Sequence, residues 1–408
     1  MRVLHIVKTS DGAHWAVQQA SELRSLGVDV HVALPSLEGR LVPDWRRSGA
    51  TIHLARIDWP ARRPWRVGAV AARARDLVRR VRPDVIHSHF FGTTMIVRRA
   101  MSGYGPVPVV FQVPGPLHLE HAIYRQWDIR SAGADDWWIA SSRAIERLYT
   151  SHGVPAGRVF MSYYGIDLMA AIRSETVRLR RKLAIADGTF VVGNVNYMYP
   201  PKWYLGHRAG IKAHEHVIHA LAELTRRRRD TIGVLVGGPH GRDDWYERRL
   251  RKLAERAAGD RIRMVGRLPR GEAVAAWKEF DCALHIPVSE NCGGVVEPLA
   301  NGVPVVAAAV GGLPEVILPA QTGTLIPDRS PASVATALEH VLDNRAHHRA
   351  LAAEGARLVH AMFDVRRTAR EVLGIYRSIL SPGTPRPAPF DGAEYLRISD
   401  STPVAAHA

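Results

Sequence analysis

Residues 286–307 read IPVSENCGGVVEPLANGVPVVA, and the order of residue types in this stretch decides the fold class. The segment CALHIPV (282–288) is a short apolar run with the length of a buried strand. A polar loop, Ser289 to Gly294, follows it. From Val295 the residues suit a helix, which closes at Asn301-Gly302 with a C-terminal glycine. A second β-rich run, VPVVAAAV (303–310), comes straight after. Strand, loop, helix and strand in this order form one unit of a parallel sheet. Gly293 and Gly294 let a ligand come close to the backbone, and the first turn of the helix offers free N–H groups to an anion. Glu290 and Glu297 flank this place, where a carboxylate beside a phosphate is out of character. Carboxylates are good acceptors for paired hydroxyls, however. The stretch therefore fits a diphosphate with a polyol on either side of it. The plain alternative is a capped helix with surface glutamates.

The same alternation extends in both directions. Towards the N-terminus of this half lie TFVVGNVN (189–196), TIGVLVGG (231–238) and RIRMVG (261–266), with amphipathic stretches near 213–227, 243–258 and 270–279. A further one lies near 332–343. The first half repeats the pattern, with strand-like runs at VLHIV (3–7), VDVHVAL (28–34), TIHLA (51–55), DVIHSH (84–89), VPVVFQV (107–113), DDWWIAS (135–141) and RVFMSYY (158–164). Helical spacing over 12–27, stopped by Gly27, separates the first two. The expected architecture is α/β, with two Rossmann-like doubly wound domains facing each other across a cleft and ligands at the carboxyl ends of the strands. A polar segment near 168–188 is the expected linker.

The bulk numbers agree with two domains, since 408 residues exceed one ordinary core. No apolar run is long enough to span a bilayer, and MRVLHIVKTSDG is too short for a signal-peptide core. Two cysteines, Cys282 and Cys292, make no disulfide framework, which favours a reduced cytoplasm. The net charge of +16 is carried mostly by arginine. It reads either as a genome bias or as attraction to a phosphate-bearing partner. The run RRRR (226–229) reads as a solvated helix end. No basic motif interleaved with aromatics supports a nucleic-acid-binding protein. There is no Walker A loop and no dinucleotide fingerprint. HEHVIH (214–219) misses the HExxH zinc spacing because position 218 is Ile, and no set of three or four metal ligands is evident. No metal and no cofactor are expected.

Residues 289–307 resemble the donor-site signature of the family 4 retaining glycosyltransferases of GT-B fold. In that signature two glutamates frame a glycine-rich turn, and a helix and a G-x-P-V-V strand follow. Here GVPVVA (302–307) matches, while six residues rather than the usual seven separate Glu290 from Glu297. VGGLPEVI (310–317) resembles the loop after the next strand, and MVGRLPRGE (264–272), with Gly266, the segment near the base. YYGID (163–167) resembles the end of the first domain, with Tyr164 where Asn is usual. Asp11-Gly12-Ala13 resembles the family's Gly-Gly loop with one glycine only. The family's basic clamp, an Arg followed by Lys-Gly, meets a long insertion in 192–221, where Lys212 is the match for the lysine. Arg208 is taken for the arginine, and Lys202 is its rival.

The resemblance implies transfer of a sugar from a nucleoside-diphosphate sugar, a UDP-sugar being favoured, to an acceptor hydroxyl with retained configuration and no metal. It implies that Glu297 takes the ribose hydroxyls, that Glu290, Asn291, Cys292, Gly293 and Gly294 hold the donor sugar, and that Lys212, Arg208 and the Gly12 N–H bind the diphosphate. His14, Trp15, His89, Gly115 and His118 would line the acceptor side, with His118 standing in for a histidine the family has just after a strand. Residues 1–170 would be the acceptor-binding domain and 171–363 the nucleotide-sugar domain. The helix 364–380 would pack back on the first domain, and 381–408 would form a mobile tail. The acceptor stays open among aminocyclitols, nucleoside antibiotics, lipid-linked sugars and thiol precursors, as does docking on an anionic membrane. Natural-product or cell-envelope glycoside synthesis is the expected setting. An epimerase or phosphorylase of the same fold, or a nucleotide-sugar binder without catalysis, are the competing readings.

Overall fold

The computed structural model describes residues 1–169, 178–241 and 243–401. The chain forms two compact units, one of Met1–Asp167 with Met362–Phe390 and one of Leu168–Ala361 with Asp391–Ala408. Part of the expected linker, 170–177, lies outside the described residues.

The first unit holds a seven-stranded sheet in the order β3-β2-β1-β4-β5-β6-β7. Its strands are β1 (Arg2–Ile6), β2 (Asp29–Leu34), β3 (Thr51–Leu54), β4 (Val85–Ser88), β5 (Val109–Val113), β6 (Asp136–Ala140) and β7 (Val159–Met161). The second unit holds six strands in the order β10-β9-β8-β11-β12-β13, with β8 (Phe190–Val195), β9 (Thr231–Val236), β10 (Ile262–Gly266), β11 (Cys282–His285), β12 (Val305–Ala308) and β13 (Thr324–Ile326). Neighbouring strands pair in parallel throughout both sheets. Every residue of β5 and of β9 is buried, as continuous apolar runs covered by helices on both faces must be. In each sheet the strand order reverses once beside the first strand, between β1 and β4 and between β8 and β11. Crevices for ligands open at such switch points.

The helix Val365–Leu380 belongs to the first unit, where Val372, Leu373, Ile375 and Tyr376 join Val17, Ala20 and Leu23 in one core cluster. A Cβ on Gly165, in the YYGID motif, would lie 2.1 Å from Thr368 Oγ1 and 2.5 Å from Val365 Cα, so this glycine admits the returning helix. Several elements escaped the sequence reading, the helices Val42–Arg47, Ala122–Ser131 and Leu179–Lys182 among them. Strand β13 is only three residues long. The helix Arg345–Met362 contains Gly355, whose missing side chain makes room for Leu299. Within the tail, Gly392–Ser401 is helical and buries Leu396, where no periodic element was expected. Among the described residues no helix is long and apolar enough to cross a membrane.

Candidate active site

The switch point of the second unit gathers charge. Lys212 lies just ahead of the helix His214–Arg227, which follows β8, and Glu290 lies in the loop after β11. Lys212 Nζ and Glu290 Oε2 form an ion pair, with side chains 18% and 10% exposed. His285, the last residue of β11, places Nε2 at 2.9 Å from the same Oε2. The backbone N–H of Asn291 donates to the other carboxylate oxygen at 3.0 Å. Burial acts to raise the Glu290 pKa, but the Lys212 charge and the His285 hydrogen bond outweigh it and hold the carboxyl well below the usual range. Burial lowers the His285 pKa, opposed by Glu290, so the imidazole is neutral. Burial, with Lys212 and His285 nearby, takes the His214 pKa down to about 3. Neither ring nitrogen of His214 has a hydrogen-bond partner among the described residues. Burial raises the Tyr199 pKa, with Tyr197 and Glu290 adding to the shift.

The glycines have a local reason here. A Cβ on Gly294 would lie 2.0 Å from His285 Nε2, and one on Gly311 would lie 1.8 Å from the Glu290 carbonyl oxygen. Gly311 also has a φ of 56°. Gly294 thus serves the seating of His285, whereas the sequence reading assigned the pair to ligand approach. The helix expected over 293–302 is a 3-10 turn, Gly293–Val295, that runs into five α-helical residues, Val296–Ala300. So short a helix adds little dipole, and the charge of Lys212 dominates the anion-attracting field. The Cys292 thiol is buried against the Gly312 carbonyl, and burial pushes its pKa up.

Glu297 makes a separate contact, accepting from Trp277 Nε1 at 3.4 Å, with Arg270 4.0 Å away. Gly266 has a φ of 88°, and its carbonyl accepts from Gly237 N at 2.9 Å. Arg208 is exposed and has no ion pair among the described residues. Lys202 is half-buried.

Lys212 is followed by Ala213, at a φ of 53°, where the resembling family has glycine. In the first unit Gly12 is followed by Ala13, at a φ of 67°, again at the place of a family glycine. Each alanine caps the helix that leaves the first strand of its sheet. The left-handed turn is retained although the residue that favours it is not.

On the first unit several expected acceptor residues have other work. His89 is fully buried, with Nε2 at 3.0 Å from His5 Nδ1 and Nδ1 at 3.2 Å from Tyr164 Oη. Both ring nitrogens are thus engaged, which makes His89 an internal strut and not a lining residue. His118 Nε2 lies 3.0 Å from Asp128 Oδ2. Asp128 also pairs with Arg98 and accepts from Tyr149, and both charged side chains are nearly inaccessible. His118 therefore completes a buried ionic network. Nothing lies within 4 Å of a Cβ added to Gly115, so no contact demands glycine there. Trp15 meets Tyr164 and His89 in tilted ring contacts, with centroids 4.1 Å and 5.3 Å away, and His14 opens the same helix.

The fold also makes a set of potential metal ligands that sequence spacing did not reveal, His5, His87 and His89, with one nitrogen of each within 4.8 Å of the others. Here His5 and His89 hydrogen-bond each other, and His87 Nδ1 bonds Tyr376 Oη. A cation held by His89 would have to displace its bond to His5 or to Tyr164.

Sequence reasoning missed His285, Asn194, Asn196, His214, Tyr199, Trp277 and Arg270. A polar residue closing an apolar run, as His285 closes CALH, was the available signal.

Residues 13–169 match the family described as Glycosyltransferase Family 4, and residues 179–358 the one described as Glycosyl transferases group 1. A D-inositol 3-phosphate glycosyltransferase of Frankia alni is 30% identical over 320 residues, covering 73% of this chain and 75% of its own. Anabaena HepE, solved in complex with UDP-glucose, superposes with a TM-score of 0.74 at 18% identity, over 93% of this chain and 100% of that one. Sucrose-phosphate synthase from Thermosynechococcus elongatus gives a TM-score of 0.74 at 18% identity, over 93% and 99%.

Proposed function

The chain belongs to glycosyltransferase family 4 and has the GT-B fold, and we propose that it moves a sugar from a UDP-sugar to an acceptor hydroxyl with retention at the anomeric carbon. The observation that carries this reading is the Lys212–Glu290–His285 cluster at the β8/β11 switch point. A buried cation paired with a buried carboxylate is a poor device for stability, because desolvation offsets most of the attraction. It is a good device for a ligand that carries phosphate on one side and hydroxyls on the other. In this reading Lys212 moves to the donor diphosphate, with Arg208 or Lys202 as the second cation. Glu290 and the backbone of Cys292 to Gly294 take the sugar hydroxyls, and Glu297 takes the ribose.

Chemically, the bond from the anomeric carbon to the β-phosphate oxygen breaks while the acceptor oxygen bonds to the same face of that carbon. The acceptor proton passes to the leaving phosphate. The growing negative charge of the phosphate is met by Lys212 and needs no metal. Glu290 is ionised and committed to hydrogen bonds, which suits a sugar-holding role better than acid catalysis.

The Frankia relative is named for D-inositol 3-phosphate. A small polyol or its phosphate is accordingly the acceptor class proposed here, in natural-product or envelope glycoside synthesis. The test is incubation with UDP-glucose or UDP-N-acetylglucosamine and a panel of inositols and inositol phosphates, followed by NMR of the product. The anomeric coupling of the donor should persist in a new glycoside. An inverted glycoside would remove the retaining mechanism. An epimerised donor formed without acceptor would replace transfer with epimerisation.

A further inference from the structure

We propose that His285, oriented by Asn196, is a positioning residue that holds the Glu290 carboxylate in place when Lys212 turns from it to the donor phosphates. The inference rests on the donor-site reading above. Glu290 Oε2 receives two groups, the Lys212 ammonium and His285 Nε2 at 2.9 Å. An arriving diphosphate competes for the ammonium, since two phosphates offer more negative charge than one carboxylate. A carboxylate held by Lys212 alone would then swing free at the moment the sugar needs it. The imidazole is neutral and does not follow the phosphate, so it keeps its bond.

The tautomer follows from the partners. An ionised carboxylate only accepts, so the hydrogen of the neutral His285 ring is on Nε2. Nδ1 is then an acceptor, and the Asn196 amide nitrogen faces it at 3.4 Å. The same nitrogen lies 3.3 Å from Asn194 Oδ1, and Asn194 Nδ2 donates to the Leu284 carbonyl at 2.8 Å. Orientation therefore runs from a backbone carbonyl through two amides and one imidazole to the carboxylate. Sterics act in the same direction. His285 is 2% exposed, and Gly294 leaves it only the space of a missing methyl. The charged or titratable groups around the pair include Lys212, His214, Tyr199 and Cys292.

The test is calorimetric titration of the full chain with UDP and with UDP-glucose. UDP lacks the sugar that Glu290 holds, so it separates positioning from general damage. His285→Phe should weaken UDP-glucose about tenfold or more, the range for a lost hydrogen bond to a charged group, and leave UDP within about threefold. His285→Gln, which keeps an N–H donor, should recover most of the loss. If the phenylalanine variant does not fold, Asn196→Leu tests the same chain and should give the same selective loss. Equal losses for both ligands, or no loss, would overturn the inference. Glu290→Ala in the same titration separates the two levels. If it weakens UDP-glucose and His285→Phe does not, only the positioning role falls. If Glu290→Ala changes nothing, or the wild type binds none of UDP-glucose, UDP-N-acetylglucosamine and GDP-mannose, the donor-site reading itself falls.

Discussion

The two switch points of this protein share a backbone plan and differ in charge. After β1 and after β8 the chain makes a loop, passes through an alanine in the left-handed region, and enters a helix at His14 and at His214. In the first unit the strands beside that loop carry His5, His87 and His89, all buried, their rings 4.2 to 5.3 Å apart. In the second they carry His285, joined by Glu290 and Lys212. Beneath the first switch point these rings are internal, with hydrogen bonds that run to one another and to Tyr164 and Tyr376. The second holds a cation and an anion that a phosphate ester can separate. A parallel sheet thus makes the same switch point twice, and the side chains placed there give the two points different chemistry.

The largest expected effect breaks the charged member of the pair. Lys212→Ala should lower turnover about 100- to 1,000-fold, as loss of a charge-stabilising group does, with a smaller change in KM. Unchanged turnover in a steady-state assay would return Lys212 to a structural role. A second probe acts on the neutral member through pH. Burial lowers the pKa of His5 to about 3 and depresses His87 and His89 as well. Folded-state values below the unfolded value mean that the unfolded chain binds more protons under acid conditions. Stability is then complete above pH ~6.5 and falls by about 1.4 kcal/mol per pH unit below it for each such imidazole. Melting curves between pH 7.5 and 5 should show the loss, and His5→Asn or His87→Asn should flatten it. A third substitution, Gly294→Ala, should cost about 1–3 kcal/mol through overpacking on His285. It should also weaken UDP-glucose, measurable by denaturation and titration. The smallest effect sharpens the shared plan. Ala13→Gly and Ala213→Gly should each stabilise by about 0.5–1 kcal/mol, because glycine relieves the left-handed strain and gives back part of the gain as unfolded-state entropy. A rise of a few degrees in the melting temperature would register this.

Much of this comparison was legible before the fold was known. Long apolar runs such as VPVVFQV and TIGVLVGG announce buried parallel strands, because nothing else in a chain of this composition buries such runs on both faces. Lys212 stands out within the insertion because it sits immediately before an amphipathic helix. The structure adds that Ala213 keeps the backbone of a Lys-Gly turn. What escaped is what depends on long-range contact. His5 and His89 meet across 84 residues, and no spacing rule connects them. His118 suited an acceptor role by position, yet Asp128 and Arg98 draw it into a network visible only once two helices pack together. Gly294 was legible as a special residue, but the reason for it, the ring of His285, was not.

The central claim is that the second unit's charged cluster receives the nucleotide sugar. A crystal structure of the protein with UDP-glucose tests it most directly. The account predicts Lys212 Nζ on the diphosphate, no longer on Glu290, and the Glu290 carboxylate bonded to both His285 and a glucose hydroxyl. A glucose moiety that touches neither carboxylate, with the Lys212–Glu290 pair intact, would contradict it.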